Sequence, residues 1–357
     1  MKKHFSKATP ISVILNLILI INVIIVVYPV LFTISSSLTK SNSLAATSVI
    51  PFTEQTDKST VEMCEACEGK GYRNIDIKSS YKENGKTKTY IGKKLVDCNV
   101  CHGEGEVAVL HTSFKIKKPS LYQFRRLLTG SEQIVKGETT VHGTNYKNWY
   151  LNTLKIAIMN TILTVFICTT TGYIFSRFSF TGRKQIMAGM IVLQMFPSFI
   201  GMVATYVILW KFNALNTLWG LVLVYASGSI PFNAQLMKGY FDTMPRDIAE
   251  AAYIDGASPL VAYLRVILPA AKPQIVFLTL TSFTGPWMDY IFPRMVLRSD
   301  DKKTLAVGLY EMISGRSNDN FTMFAAGAIL VAVPFTIFFM AGQRTLLMSL
   351  AGTSGKE

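Results

Sequence analysis

The chain has 357 residues, half of them hydrophobic and only 16% charged, with a formal net charge of +14. Long uncharged runs exclude an ordinary soluble domain, since about 20 apolar residues in a row cross a bilayer as a helix. The surplus Lys and Arg are scattered around those runs rather than gathered in one patch, which argues against nucleic-acid binding.

The first apolar run, Ile11–Ile34, carries no charge and follows the basic start "MKKHFSK". A cleaved signal peptide is the competing reading, with "SLAAT" as a small-residue site. The run exceeds the usual apolar core of a signal, so a retained span is expected. Five further candidates follow. Leu151–Ser176 has only Lys155. Ile186–Trp210, Leu218–Met237 and Phe321–Gly342 have no charge, and Gln274–Pro293 has only Asp289. Neighbouring helices can satisfy the backbone groups that internal prolines free. With six spans and the N-terminus inside, "MKKHFSK", Arg177–Lys184 and the Lys238/Arg246 region all fall on the cytoplasmic face, as basic short loops should. Segments 35–150 and 294–320 then lie outside. The expected organisation is residues 1–35 as N-terminus and first helix, 36–150 as an outer loop, 151–343 as a five-helix core and 344–357 as a cytoplasmic tail.

The outer loop is polar and holds four of the five cysteines. Its flanks, "SSSLTKSNSLAATSVIP" and "KPSLYQFRRLL", read as two halves of a shorter loop parted by an insert. Within the insert (about 61–107), Cys64-Glu-Ala-Cys67 and Cys98-Asn-Val-Cys101 are each followed by xGxG. Two such knuckles can offer four thiolates to a tetrahedral zinc, and Asn84-Gly85 between them suits a hairpin turn. The motif resembles the cysteine-rich zinc module of DnaJ-type chaperones. Disulfides remain open on an oxidising face. Cys98–His102 also spells C-x-x-C-H, the haem c attachment pattern, although xGxG accounts for the His without haem. Ser80–Thr87 ends in Gly-Lys-Thr but has Ser80 where a phosphate loop needs its first glycine. Cys168, inside a span, reads as packing. Asp289 is either functional or an interfacial structural carboxylate.

After the fourth span, "KGYFDTMPRDIAEAAYIDGASPLVAYLRVILPAAKP" is too polar to cross a membrane. Thr243 is expected to cap a helix with Pro245 in its first turn. Gly256 suits a left-handed ending. Ser258-Pro259 should start a second helix that stops before Pro269.

The spaced pattern Glu250-Ala251-Ala252, Asp255-Gly256-Ala257, Leu268-Pro269 and Pro273 resembles the EAA loop. That loop marks membrane subunits of bacterial ATP-binding-cassette importers that use a binding protein. "WYLNTLKIA", "FSRFSFTGRK", "LQMFPSF", "LMKGYFDTMP" and "TLAVGLY" are similar to the smaller permease subunit of maltose/maltodextrin importers. The resemblance implies an all-α integral membrane protein with six helices of the type I importer fold, and the cysteine knuckles add the expectation of a small zinc-ribbon-like β-hairpin insert in its first outer loop. It implies a coupling loop (about 240–268) in which Glu250, Ala251, Ala252, Asp255 and Gly256 dock on an ATPase. The small Ala251 and Ala252 would let the partner approach closely. It implies an outer loop, Arg294–Asn320, that contacts a sugar-binding protein through Ser317, Asn318 and Asn320. The implied partners are a second permease chain, an ATPase dimer, an extracellular binding protein and an oligosaccharide, in a bacterial cytoplasmic membrane. ATP would be hydrolysed in the partner, so the chain is expected not to be an enzyme. Zinc in the insert, held by Cys64, Cys67, Cys98 and Cys101, is the one cofactor expected of the chain. A second reading keeps the transporter as scaffold and makes the insert a metal-binding or protein-interaction module. A channel without ATPase is the third, and the EAA loop argues against it.

Overall fold

A bilayer core offers no water to backbone groups, so spans must satisfy their own N–H and C=O groups as helices. The computed structural model describes residues 10–41 and 50–353, apart from positions 65, 69, 71, 84–85, 99, 103–105, 117, 136–137, 143 and 315–319. It divides into two units, residues 1–44 with 119–357, and residues 45–118.

The larger unit is helical, with one short hairpin of β5 (Ser131–Val135) and β6 (Glu138–His142). Among the described residues, three helices are long and apolar enough to cross a membrane: α1 (Pro10–Ser37), α3 (Tyr146–Arg177) and α13 (Phe321–Thr353). The run expected as one span over Ile186–Trp210 is two helices, α4 (Arg183–Met195) and α5 (Ser198–Lys211), sharply bent at Phe196–Pro197. Proline disfavours helical geometry in the residue before it, and Phe196 is extended with ψ 129°. The run expected as the fourth span, Leu218–Met237, lies within α6 (Leu218–Thr243). Its 26 residues reach about 39 Å. The fifth is shorter than Gln274–Pro293: α10 (Lys272–Met288) stops before Asp289, and α11 (Ile291–Val296) restarts the chain. The expected tail from 344 is helical as far as Thr353.

α3 is patterned inside out, as a membrane core requires. Asn152, Asn160, Thr161, Thr164 and Thr169 are buried, while Ile158, Met159, Ile162 and Phe166 are exposed. Thr153, Thr161 and Thr169 return their hydroxyls to carbonyls one turn back at 2.6–2.9 Å. A Cβ built on Gly172 would lie 2.6 Å from Met237 Cβ and 2.9 Å from the Lys238 nitrogen. Glycine therefore sets how closely α3 and α6 approach, as small residues do between membrane helices. The insert's flanks meet in this unit. Ser120 N–H donates to the Leu38 carbonyl at 3.0 Å, and the Gln123 amide donates to the carbonyls of Lys40 and Ser41. The intervening helix is α2 (Tyr122–Thr129).

The smaller unit is built from β1 (Thr53–Met63), β2 (Tyr72–Glu83), β3 (Lys86–Asp97) and β4 (Glu106–Ile116). β1 pairs antiparallel with β4, from Thr53 opposite Ile116 to Met63 opposite Glu106. β2 pairs with β3, from Tyr72 opposite Asp97 to Glu83 opposite Lys86. The stretches between the ladders, 64–71 and 98–105, are equal in length, so one register runs through both. Asn84 and Gly85, the expected turn, lie outside the described residues.

Candidate functional site

Two places carry chemistry that the sequence singled out. The first follows α6. Thr243 does not cap a new helix; its hydroxyl donates back to the Tyr240 carbonyl at 2.7 Å and closes α6. Pro245 lies in the connection, and α7 (Asp247–Ile254) begins beyond it, with Asp247 and Glu250 in its first turn. Acidic groups there complement the helix dipole. Gly256 has φ +85°, the left-handed turn expected of it. The Ser258 side chain accepts from Val261 N–H, and Pro259 opens α8 (Pro259–Ala262). The helical path then runs through Pro269 instead of stopping there. A π-helical segment (Tyr263–Ile267) leads into α9 (Leu268–Ala270). The wider turn accommodates a proline that has no N–H to give to the preceding turn.

Glu250, Ala251, Asp255 and Gly256 are exposed. Ala252 is not available to a partner: it is buried within this chain, as is Ala249. The outward face instead carries Ile254, 86% exposed, with Tyr253 and Leu260. The inward face belongs to a buried cluster with Tyr173, Phe241, Tyr263 and Ile267. The Tyr173 and Tyr263 rings stack at 4.6 Å, and Tyr173 meets Phe241 edge-on at 5.8 Å. The Tyr263 hydroxyl donates to Thr169 at 3.2 Å. The Arg177 guanidinium donates to the carbonyls of Phe241 and Met244 at 3.0 and 2.8 Å, tying the end of α3 to the end of α6.

The second place is the junction of the two ladders in the smaller unit. Cys64, Cys67, Cys98 and Cys101 are all buried, with their sulfurs within 4.8 Å of one another. Cys64 Sγ lies 3.8 Å from Cys98 Sγ, and Cys67 Sγ lies 3.6 Å from Cys101 Sγ. All four are free thiols. Zn–S bonds of about 2.3 Å in a tetrahedron put sulfurs about 3.8 Å apart, so the donor set fits zinc. Glu68 and His102, each directly after a knuckle's second cysteine, share φ +52°. The two knuckles thus repeat a backbone as well as a sequence motif. Burial pushes the Cys64 thiol up to about 11, whereas N–H groups of Cys101 and Val100 pull Cys98 down to about 6. Gly-Lys-Thr at 85–87 leads into strand β3 and not a helix N-terminus, which removes the phosphate-loop reading.

The segment after α11, expected as an outer loop, is not an open loop among the described residues. A short turn (Asp300–Lys302) and α12 (Leu305–Ser314) are docked on α3. Trp149 Nε1 donates to the Asp300 carbonyl at 2.7 Å, and Leu305 N–H donates to Thr153 Oγ1 at 2.8 Å. Gly308 lies flat on the Trp149 ring, where a Cβ would fall 2.0 Å from a ring carbon. Arg294 and Lys303 both pair with Glu311, at 3.0 and 2.6 Å. Of the expected contact residues, Ser317 and Asn318 lie outside the described residues, and Asn320 is half-buried before α13. Asp289 caps the break after α10: one carboxylate oxygen accepts the Tyr225 hydroxyl at 2.8 Å, the other the Phe292 N–H at 3.4 Å.

Residues 168–346 match the family described as "Binding-protein-dependent transport system inner membrane component". Among similar proteins, the maltodextrin transport system permease protein MdxG of Bacillus subtilis (strain 168) is 42% identical over 214 residues, 59% of this chain and 77% of that protein. The galactooligosaccharides transport system permease protein GanQ of the same organism is 34% identical over 250 residues, 70% of this chain and 85% of that protein. A crystal structure of a bacterial ABC transporter involved in alginate import contains a similar chain, with TM-score 0.62 and 18% identity, covering 96% of this chain and 99% of that one. At that identity the likeness speaks for the fold alone.

Proposed function

The chain belongs to the family of inner-membrane components of binding-protein-dependent transport systems, and we propose that it forms one half of the translocation pathway of a maltodextrin-type carbohydrate importer. Permeases of this kind work with a second permease, an ATPase and a substrate-binding protein, and the ATPase, not the permease, hydrolyses ATP. Orientation with the N-terminus in the cytoplasm, in a bacterial cytoplasmic membrane, follows from the basic short loops.

The observation that carries the reading is the shape of the segment after α6. It presents a short helix with an exposed Glu250 and Ile254, turned by Gly256, on a base that is buried in its own chain. Glu250, Ala251, Asp255 and Gly256 would meet the ATPase, and Ala252 would hold α7 to its base. Closure of the ATPase dimer would push α7. Tyr263, Tyr173 and Phe241, packed ring against ring, would pass that push to α3 and α6 and alternate the pathway between its two openings. On the other face, Ser317, Asn318 and Asn320 would meet the binding protein. In the smaller unit, Cys64, Cys67, Cys98 and Cys101 would hold zinc as a structural ion. A second reading rests on those thiols alone and makes the insert a metal-dependent interaction module riding on the transporter.

The test is reconstitution with the second permease, the ATPase and the binding protein in proteoliposomes. ATP-dependent uptake of maltotriose is the expected result. Passive flux independent of the ATPase would refute the reading.

A further inference from the structure

The helical core holds a cavity of about 350 Å³ that none of the sites above explains. Pockets for small ligands begin near that size. Its polar wall comes from three helices: Asn160 of α3, Tyr225, Ser229 and Asn233 of α6, and Ser282 of α10. Helix-facing hollows nearby, such as that of Met159, Ile162, Phe166 and Leu223, are lined by apolar side chains, as a lipid-facing groove should be.

The hydrogen bonding of this wall is partly assigned. Asn160 donates to the Ser282 carbonyl at 2.8 Å and accepts from Thr164 at 3.3 Å. Tyr225 donates to Asp289, leaving its own oxygen lone pairs toward other donors. The Ser282 hydroxyl is buried with no hydrogen-bond partner. A buried orphan hydroxyl is costly in a membrane interior, and such groups call for a partner. Phe232, 59% exposed, and Phe277 add two aromatic rings at the rim.

The lining sets the chemistry of what could bind there. An anion would need Arg or Lys, and none lines the cavity. A cation would need a spare carboxylate, and Asp289 already serves Tyr225 and the Phe292 N–H. An apolar molecule would leave Asn233 and Ser282 unpaired. A neutral molecule dense in hydroxyls fits: amides and hydroxyls can both donate and accept, and the phenyl rings suit the C–H faces of a pyranose. We propose that this cavity is a sugar subsite contributed by this chain to the translocation pathway, with Asn233 and Ser229 as direct contacts. The proposal rests on the importer reading above and adds a site to it.

The test uses the complete transporter in proteoliposomes with loaded binding protein, reading maltotriose uptake and ATP hydrolysis together. Asn233→Leu keeps volume and removes the amide; Ser229→Ala removes the hydroxyl; Asn233→Gln keeps an amide. Loss of one or two hydrogen bonds to passing sugar should lower sugar moved per ATP roughly three- to tenfold in the first two variants. ATPase stimulation should stay at the wild-type level, and Asn233→Gln should recover part of the ratio. A wild-type ratio in both Asn233→Leu and Ser229→Ala overturns the subsite. So does a parallel fall in uptake and hydrolysis that Asn233→Gln does not relieve, since that marks packing. A wild-type complex that moves no sugar refutes the importer reading, and the subsite with it.

Discussion

Taking one cysteine from the insert should unfold that unit and leave the helical unit standing. Among the described residues of the insert, the buried apolar side chains are the four cysteines themselves, and they sit where the two ladders join. Sulfur separations of 3.6 and 3.8 Å are near the edge of a zinc tetrahedron, about 3.8 Å, and far from a disulfide of about 2.0 Å. Structural zinc sites contribute on the order of 10 kcal/mol at neutral pH, which is comparable to the whole stability of a small domain, about 5–15 kcal/mol. Cys98→Ala should therefore abolish the fold of 45–118 rather than soften it. The assay is metal analysis of the purified full-length chain, with limited proteolysis. Wild type should carry one zinc per chain and resist cleavage between 45 and 118; Cys98→Ala should carry none and be cut there first. A metal-free wild type with no titratable thiols in the insert would establish disulfides and refute the reasoning.

Gly256→Pro should uncouple transport, because proline fixes φ near −65° where the chain needs +85°; binding-protein-stimulated ATPase activity is the readout, and wild-type stimulation would count against the docking role. Glu250→Lys reverses an exposed charge on the same helix and should weaken ATPase co-purification by about 1–3 kcal/mol, checked by pull-down at low and high salt. Gly172→Leu forces a side chain into the α3–α6 contact, where Cβ alone would meet Met237 at 2.6 Å; a cost of about 1–3 kcal/mol or more is expected, seen as a lower melting temperature in detergent. Replacing Ala45–Lys118 with a short Gly-Ser linker should preserve assembly and uptake, because the flanks already meet at Leu38 and Ser120; loss of assembly would show that the insert is structural.

Much of this was legible because membranes impose simple rules. Uncharged runs marked the helices, and Gly256 announced its own left-handed turn. Where the rules tolerate exceptions, the sequence was ambiguous. Pro29, Pro231, Pro286 and Pro334 all sit inside helices, so a proline in an apolar run gave no notice that Pro197 alone would break its span. Pro269 was misread for the opposite reason: a π turn lets helical geometry pass it. Ala251 and Ala252 look alike in sequence, but a helical step of about 100° sends one to solvent and the other inward. The polar cavity was missed because it has no local signature. Asn160 and Ser282 stand 122 residues apart in the chain and meet only across α3 and α10.

The structure also constrains how force can travel. α7 has eight residues, too few to be stable as an isolated helix. Alone it would melt when pressed, and a melted loop transmits little. Ala249 and Ala252 are buried, so the helix is held by tertiary packing rather than by its own turns. The π segment places Tyr263 under it, against Tyr173 of α3. Arg177 then binds α3 to the Phe241 and Met244 carbonyls at the foot of α6, while Ser176 donates to Asp242 at 2.7 Å. A load on α7 therefore meets two long helices joined at their ends. Those same helices, α3 and α6, carry Asn160, Ser229 and Asn233 further along their length. Any rigid tilt of the pair against α10 changes the cavity wall, so the proposed docking loop and the proposed subsite share one mechanical element without needing a separate relay.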